Sequence, residues 1–138
     1  MSHTTLLPLK NIAMVKVSVI IYISAEFRNE YNKQIELIEK PFKDVKNTIL
    51  EKYHHVLPDS LYADIHSCLD HIHKQYLKFA MPCYTRFDNL NDFCWKSNGN
   101  LSRYETIERL LKNPKLFDTL RLVLLNMHSK SRFKKFIS

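Results

Sequence analysis

Apolar residues recur through most of this chain at intervals of three and four, the spacing that keeps side chains on one face of an α-helix. From Phe27 the series runs Phe27, Tyr31, Ile35, Ile38, Phe42, Val45, Ile49, Tyr53 and Val56, one stripe of about eight turns. Pro41 falls inside it, where the ring removes an amide donor and crowds the preceding turn. Because the stripe keeps phase across Pro41, one kinked long helix or two nearly collinear helices are predicted. Pro58, Asp59 and Ser60 then read as a stop and a fresh N-cap. Leu61, Ile65, Cys68, Leu69, Ile72, Tyr76 and Phe79 form the next stripe, which Pro82 closes.

The two ends are less uniform. Val15 to Ser24 alternates, with Val15, Val17, Val19, Ile21 and Ile23 on one side, and β-branched residues dominate. That favours a short strand, although Ile12, Val15, Val19, Ile23 and Phe27 also fall at helical spacing. A strand needs a partner for its backbone groups, and only 83–87 and 92–96 offer themselves. Residues 1–14, with Pro8 and no period, read as a flexible lead. Residues 81–101 are rich in Asn and Asp and read as irregular, with Phe93 and Trp95 holding the loop to the body. Ser102 and Glu105 match a capping box, followed by a short helix bearing Tyr104, Ile107, Leu110 and Leu111. Asn113–Pro114 marks the start of a last helix. Leu116, Phe117, Leu120, Leu122, Val123, Leu124, Leu125 and Met127 make it apolar nearly all round, which predicts a central position. The expected fold is all-α: a compact bundle of four to five helices in a single domain spanning 1–138, with one short N-terminal β-strand as the possible exception.

Composition agrees with helices. The chain has 138 residues and one glycine, where average usage would supply roughly ten. Tight hairpins and phosphate-cradling loops both need glycine, so a many-stranded antiparallel fold and the common nucleotide-binding fingerprints are excluded. Three cysteines, with no Cys-x-x-Cys pair, point to free thiols in a reducing, cytoplasmic setting. The longest apolar run, Val17 to Ile23, is far too short to span a bilayer. Lys10 and Lys16 before that run sketch a secretory leader, but Lys16 interrupts the apolar region and a leader is not expected.

Charge narrows the functional reading. The net charge is +7, yet residues 26–56 balance six basic against six acidic groups. The excess lies in 114–138, where Lys115, Arg121, Lys130, Arg132, Lys134 and Lys135 face only Asp118, and Phe133, Phe136 and Ile137 interleave with the cations. A neutral body with a basic tail, 129–138, points to an arm that contacts phosphates, with aromatics available for stacking. Such an arm adds affinity without a base code. An acidic protein, an anionic membrane surface, or a merely solubilising helix end explain the same charges. The pair of short helices at 102–128 invites comparison with a helix-turn-helix, but the second is too leucine-rich to read base edges.

Other constellations are weaker. His66, Asp70 and His73 stand at i, i+4 and i+7, with Asp64, Cys68 and His71 in a neighbouring row. Either row holds metal-ligating groups on one helix face, but no second helix completes a set, and a solvated polar face is the simpler account. No nucleophile motif, cofactor fingerprint or isolated carboxylate pair is present. The chain is therefore expected to be a small non-enzymatic regulatory protein that contacts nucleic acid through Arg121, Lys130, Arg132, Lys134 and Lys135, without a metal or cofactor. The alternative is a helical protein-interaction module, an adaptor, inhibitor or immunity-type protein. It would bind an acidic partner, or form a homodimer through an exposed Val15–Ile23 strand edge.

Overall fold

A computed structural model describes residues 9–36, 42–83, 85, 87 and 89–137, with the side chains of 34–36 and 131–137 left out of that description. Among the described residues there are six α-helices: α1 (Leu9–Ile23), α2 (Ala25–Glu36), α3 (Phe42–Glu51), α4 (Asp59–Ala80), α5 (Arg103–Leu111) and α6 (Asp118–Ile137). No strand occurs among them; the sole β-type pairing is an isolated bridge between Trp95 and Leu101. The all-α expectation holds, with one helix more than the upper count.

The N-terminal strand does not. Val15–Ser24 lies in α1 and its junction with α2, and Leu9–Met14, read as part of a flexible lead, is the first half of α1. Strand propensity loses to packing here. In helical register Ser18, Ile21 and Tyr22 all turn inward, and α4 is the principal neighbour of α1. As a strand the segment would have carried an unpaired ladder; as a helix it satisfies its own backbone. Ser18 returns its hydroxyl proton to the Met14 carbonyl (2.8 Å). The remainder of the lead, 1–8, lies outside the described residues.

Ser24 breaks the chain between α1 and α2 by capping. Its Oγ accepts the Phe27 amide (3.1 Å) and donates to the Ile21 carbonyl (2.7 Å), satisfying one orphan donor of the new helix. α2 and α3 are not collinear. Lys52 Nζ reaches Glu26 Oε1 at 2.7 Å, whereas a continuous helix would hold those positions about 39 Å apart. The two form an antiparallel hairpin. The stripe kept its phase because both helices bury the same face: Phe27 and Tyr31 meet Phe42, with ring centroids 5.8 and 6.5 Å apart. The junction at Pro41 lies outside the described residues.

α4 is the central element. Ile65, Leu69, Ile72, Tyr76 and Phe79 of the expected stripe are all buried. Its N-cap position is Pro58, without a side-chain cap, so Asp59 and Ser60 belong to the first turn. A 3-10 turn, Met81–Cys83, follows, and then the irregular segment. Phe79, Phe87 and Phe93 cluster with centroid separations of 5.2–5.9 Å, and Tyr76 Oη accepts the Phe87 amide (3.1 Å). Phe93 and Trp95 thus anchor the loop as expected, Trp95 edge-on to Tyr22 at 6.2 Å. Gly99 is needed where it stands. Its φ is +87°, and a Cβ there would approach the His71 ring to 3.2 Å, a conformation and a contact that L side chains avoid.

Ser102 occupies the N-cap position of α5 but forms no side-chain cap, so the capping box is not made. Thr106 instead ties the helix start to the loop, without capping an α5 amide: its hydroxyl donates to the Ser102 carbonyl (2.7 Å) and accepts the Cys94 amide (3.0 Å). α6 begins at Asp118 rather than at Pro114. Asn113 instead closes a turn, its Oδ1 accepting the Lys115 amide (3.0 Å).

Candidate functional site

α6 carries the charge excess. Leu120, Leu124 and Met127, at i, i+4 and i+7, are buried. Leu122 is 68% exposed and Leu125 47%, on the opposite side of the helix. The all-round apolar pattern therefore reflects two stripes facing opposite ways rather than a central helix, and α6 lies at the periphery with α5 as its main neighbour.

The five cations expected to contact phosphate separate into two groups. Arg121 is committed to the fold: Nη1 donates to the Leu111 carbonyl (2.8 Å) and Nη2 to the Asn113 carbonyl (3.0 Å). These are the last carbonyls of α5 and its turn, so the guanidinium caps a helix C-terminus, where positive charge is favoured. Lys130 is exposed. The backbone at Arg132, Lys134 and Lys135 continues α6, which runs to Ile137, so the expected tail is helical; their side chains lie outside the described set.

The histidine row on α4 disperses. His66 packs edge-on to Tyr62 at 4.8 Å. Asp70 receives Lys46 Nζ at 2.6 Å, which gives a buried ammonium from α3 a carboxylate at the surface. His73 turns inward, stacked on Phe42 with centroids 3.9 Å apart and 2.8 Å from the Tyr22 hydroxyl through Nδ1. Burial raises the Tyr22 phenol well above its ordinary value and holds it protonated; which of the two groups donates follows the imidazole tautomer. Burial and the nearby Arg28 charge together push the imidazole pKa down to about 4. Among the described residues no group of three His, Cys, Asp or Glu side chains is placed to hold a metal ion.

Sequence reading missed Arg28. It is 3% exposed, its carbon 4.2 Å from the Tyr22 ring centre, with Phe27, Tyr31 and Tyr76 within 5.8 Å. Nε donates to the Tyr22 carbonyl (2.9 Å), while Nη1 and Nη2 have no hydrogen-bond acceptor among the described residues. Four ring faces stand where a carboxylate would be expected. The only signal in the sequence was an arginine one place after Phe27 in the buried stripe. The free cysteines show no activation: burial raises the thiols of Cys68, Cys83 and Cys94 above the ordinary value, which disfavours the nucleophilic thiolate.

Set against protein-family models, curated proteins and solved structures, the chain matches none. No helix of the described residues is long and apolar enough to cross a membrane.

Proposed function

We propose that the protein is a small non-enzymatic binding protein whose last helix contacts nucleic-acid phosphates through Lys130, Arg132, Lys134 and Lys135. The observation that supports this reading is the placement of the charge. Residues 114–138 hold +5 of the net +7, and every charge among them but Lys115 lies on a helix that runs ten residues past Met127, its last buried position among those described. Arg121 drops out of the contact set because its terminal nitrogens already serve α5. Binding of this kind releases counterions, so affinity falls linearly with salt on a logarithmic scale. With two to four phosphates neutralised, the slope against a short duplex is expected to lie between about −2 and −4. Deleting residues 129–138 should bring it close to zero. The check is fluorescence anisotropy of a labelled oligonucleotide across a salt series; tight binding indifferent to both salt and deletion would refute the proposal.

A second reading, a helical module that binds a partner protein, is favoured by exposed apolar side chains on two helices. Leu122 and Leu125 project from α6, and Ile20, 64% exposed, projects from α1 beside Val17. Pairing through a strand edge is no longer its basis, because Val15–Ile23 is helical; a homodimer would need a helix face.

A further inference from the structure

Three adjoining hollows follow α1, with Val15 in the wall of each. The one nearest Ile20 holds about 360 Å³ and is lined chiefly by Val15, Val19, Ile20 and Trp95. Two exposed lysines stand at it, Lys16 from α1 and Lys96 from the Trp95–Leu101 turn. Among the described residues neither ammonium has a carboxylate partner. The hollow toward Asn11, about 350 Å³, is more polar, with Asp64, Ser67 and Asn98 in its wall beside Met14 and Val15. From Asn11 to Ile20 the trough follows about 14 Å of helix, the length of roughly four extended residues.

We infer that this trough seats an extended acidic segment of a partner protein, an inference that rests on the protein-partner reading. One apolar side chain of the segment fills the hollow between Ile20 and Trp95, and a neighbouring carboxylate lies between Lys16 and Lys96. Its backbone continues toward Ser67 and Asn98, whose hydroxyl and amide offer both donors and acceptors. A lipid chain fits less well, since beyond Val15 it would lie against Ser67 and Asn98 without a hydrogen bond to offer either. A second copy of this chain fits less well too. An isologous contact would bring the two lysines of each copy, four in all, into one interface.

The sequence contains one tryptophan, and Trp95 lines the trough, so its emission reports occupancy. The probes are two capped six-residue peptides, one alternating Leu and Glu, the other Leu and Lys. The Leu/Glu peptide is expected to change the emission saturably and to bind about tenfold more tightly than the Leu/Lys peptide, as two exposed charge contacts allow. The double variant Lys16→Glu with Lys96→Glu should invert that preference. Both lysines are at the surface, and circular dichroism confirms the fold. Val19→Ala, a milder change, should weaken both peptides and leave their order unchanged. Equal affinities, or no saturable change with either peptide, would overturn the inference. So would oleate displacing the Leu/Glu peptide, which would mark a lipid site, or a concentration-dependent dimer lost in the double variant. Among the described residues none from α6 lines the trough, so failure here leaves the nucleic-acid proposal to its own deletion test.

Discussion

Burial of His73 between Tyr22 and Phe42 makes stability depend on pH. In the unfolded chain the imidazole titrates at its ordinary value of 6.5; in the fold it takes a proton only near 4. Arg28 opposes that proton, and Asp70, occupied by Lys46, favours it only weakly. Between the two values the unfolded state binds the extra proton. The stabilisation is therefore whole above about pH 6.5 and is lost as pH falls toward 4, about 3 kcal/mol in all. Urea melts between pH 7.5 and 4 are expected to show this loss. His73→Gln should be less stable at neutral pH and should flatten the dependence through that window. An unchanged slope in the variant would mean that other groups titrate there. None of this was legible beforehand: His66, Asp70 and His73 form a tidy row in the sequence, but which member turns inward depends on Tyr22 and Phe42, far away along the chain.

At the level of elements, periodicity found the helices and failed at their relations. The stripe of α4 was read correctly because a central helix buries one continuous face. The hairpin of α2 and α3 was read as nearly collinear because phase is the same whether two helices continue or fold back on a shared face. Alternation in α1 was ambiguous from the outset, and the absence of a strand partner, visible in the sequence, was the better guide. α6 is the instructive case. Two apolar stripes on opposite sides mimic a fully buried helix, and only packing distinguishes them. Leu124→Ala is expected to cost about 3 kcal/mol, as for a buried leucine left as a cavity. Leu122→Ala, two residues away, should change stability by no more than about 0.5 kcal/mol. Thermal denaturation of the pair decides it; comparable losses would place both leucines in the core.

For the whole molecule, charge was the most legible property and contact the least. A neutral body and a basic last helix follow from counting residues. That Arg121 is tied to main-chain carbonyls at the end of α5 could not be counted, because α5 presents them only once folded. The same limit hid the trough along α1, whose wall combines Val15 and Val19 with Trp95, some 75 residues on.

The way the α5–α6 hairpin is attached has a consequence in time. It joins the body through the last turn of α4, the 3-10 turn and the irregular segment rather than by lying along α4. Cys83 Sγ lies 3.7 Å from Met127 Sδ, Thr106 holds the Cys94 amide, and Arg103 sits 5.9 Å from the Phe79 ring centre. Such a unit can open while the remaining helices stay closed. Amide hydrogens of Leu120–Met127 are thus expected to exchange with solvent sooner than those of Leu69–Phe79, as mass spectrometry of deuterated peptides would show. Equal protection of the two would mean that the protein opens only as one. If α6 is the element that meets the ligand, binding should slow exchange in the hairpin first and leave α4 at its original rate.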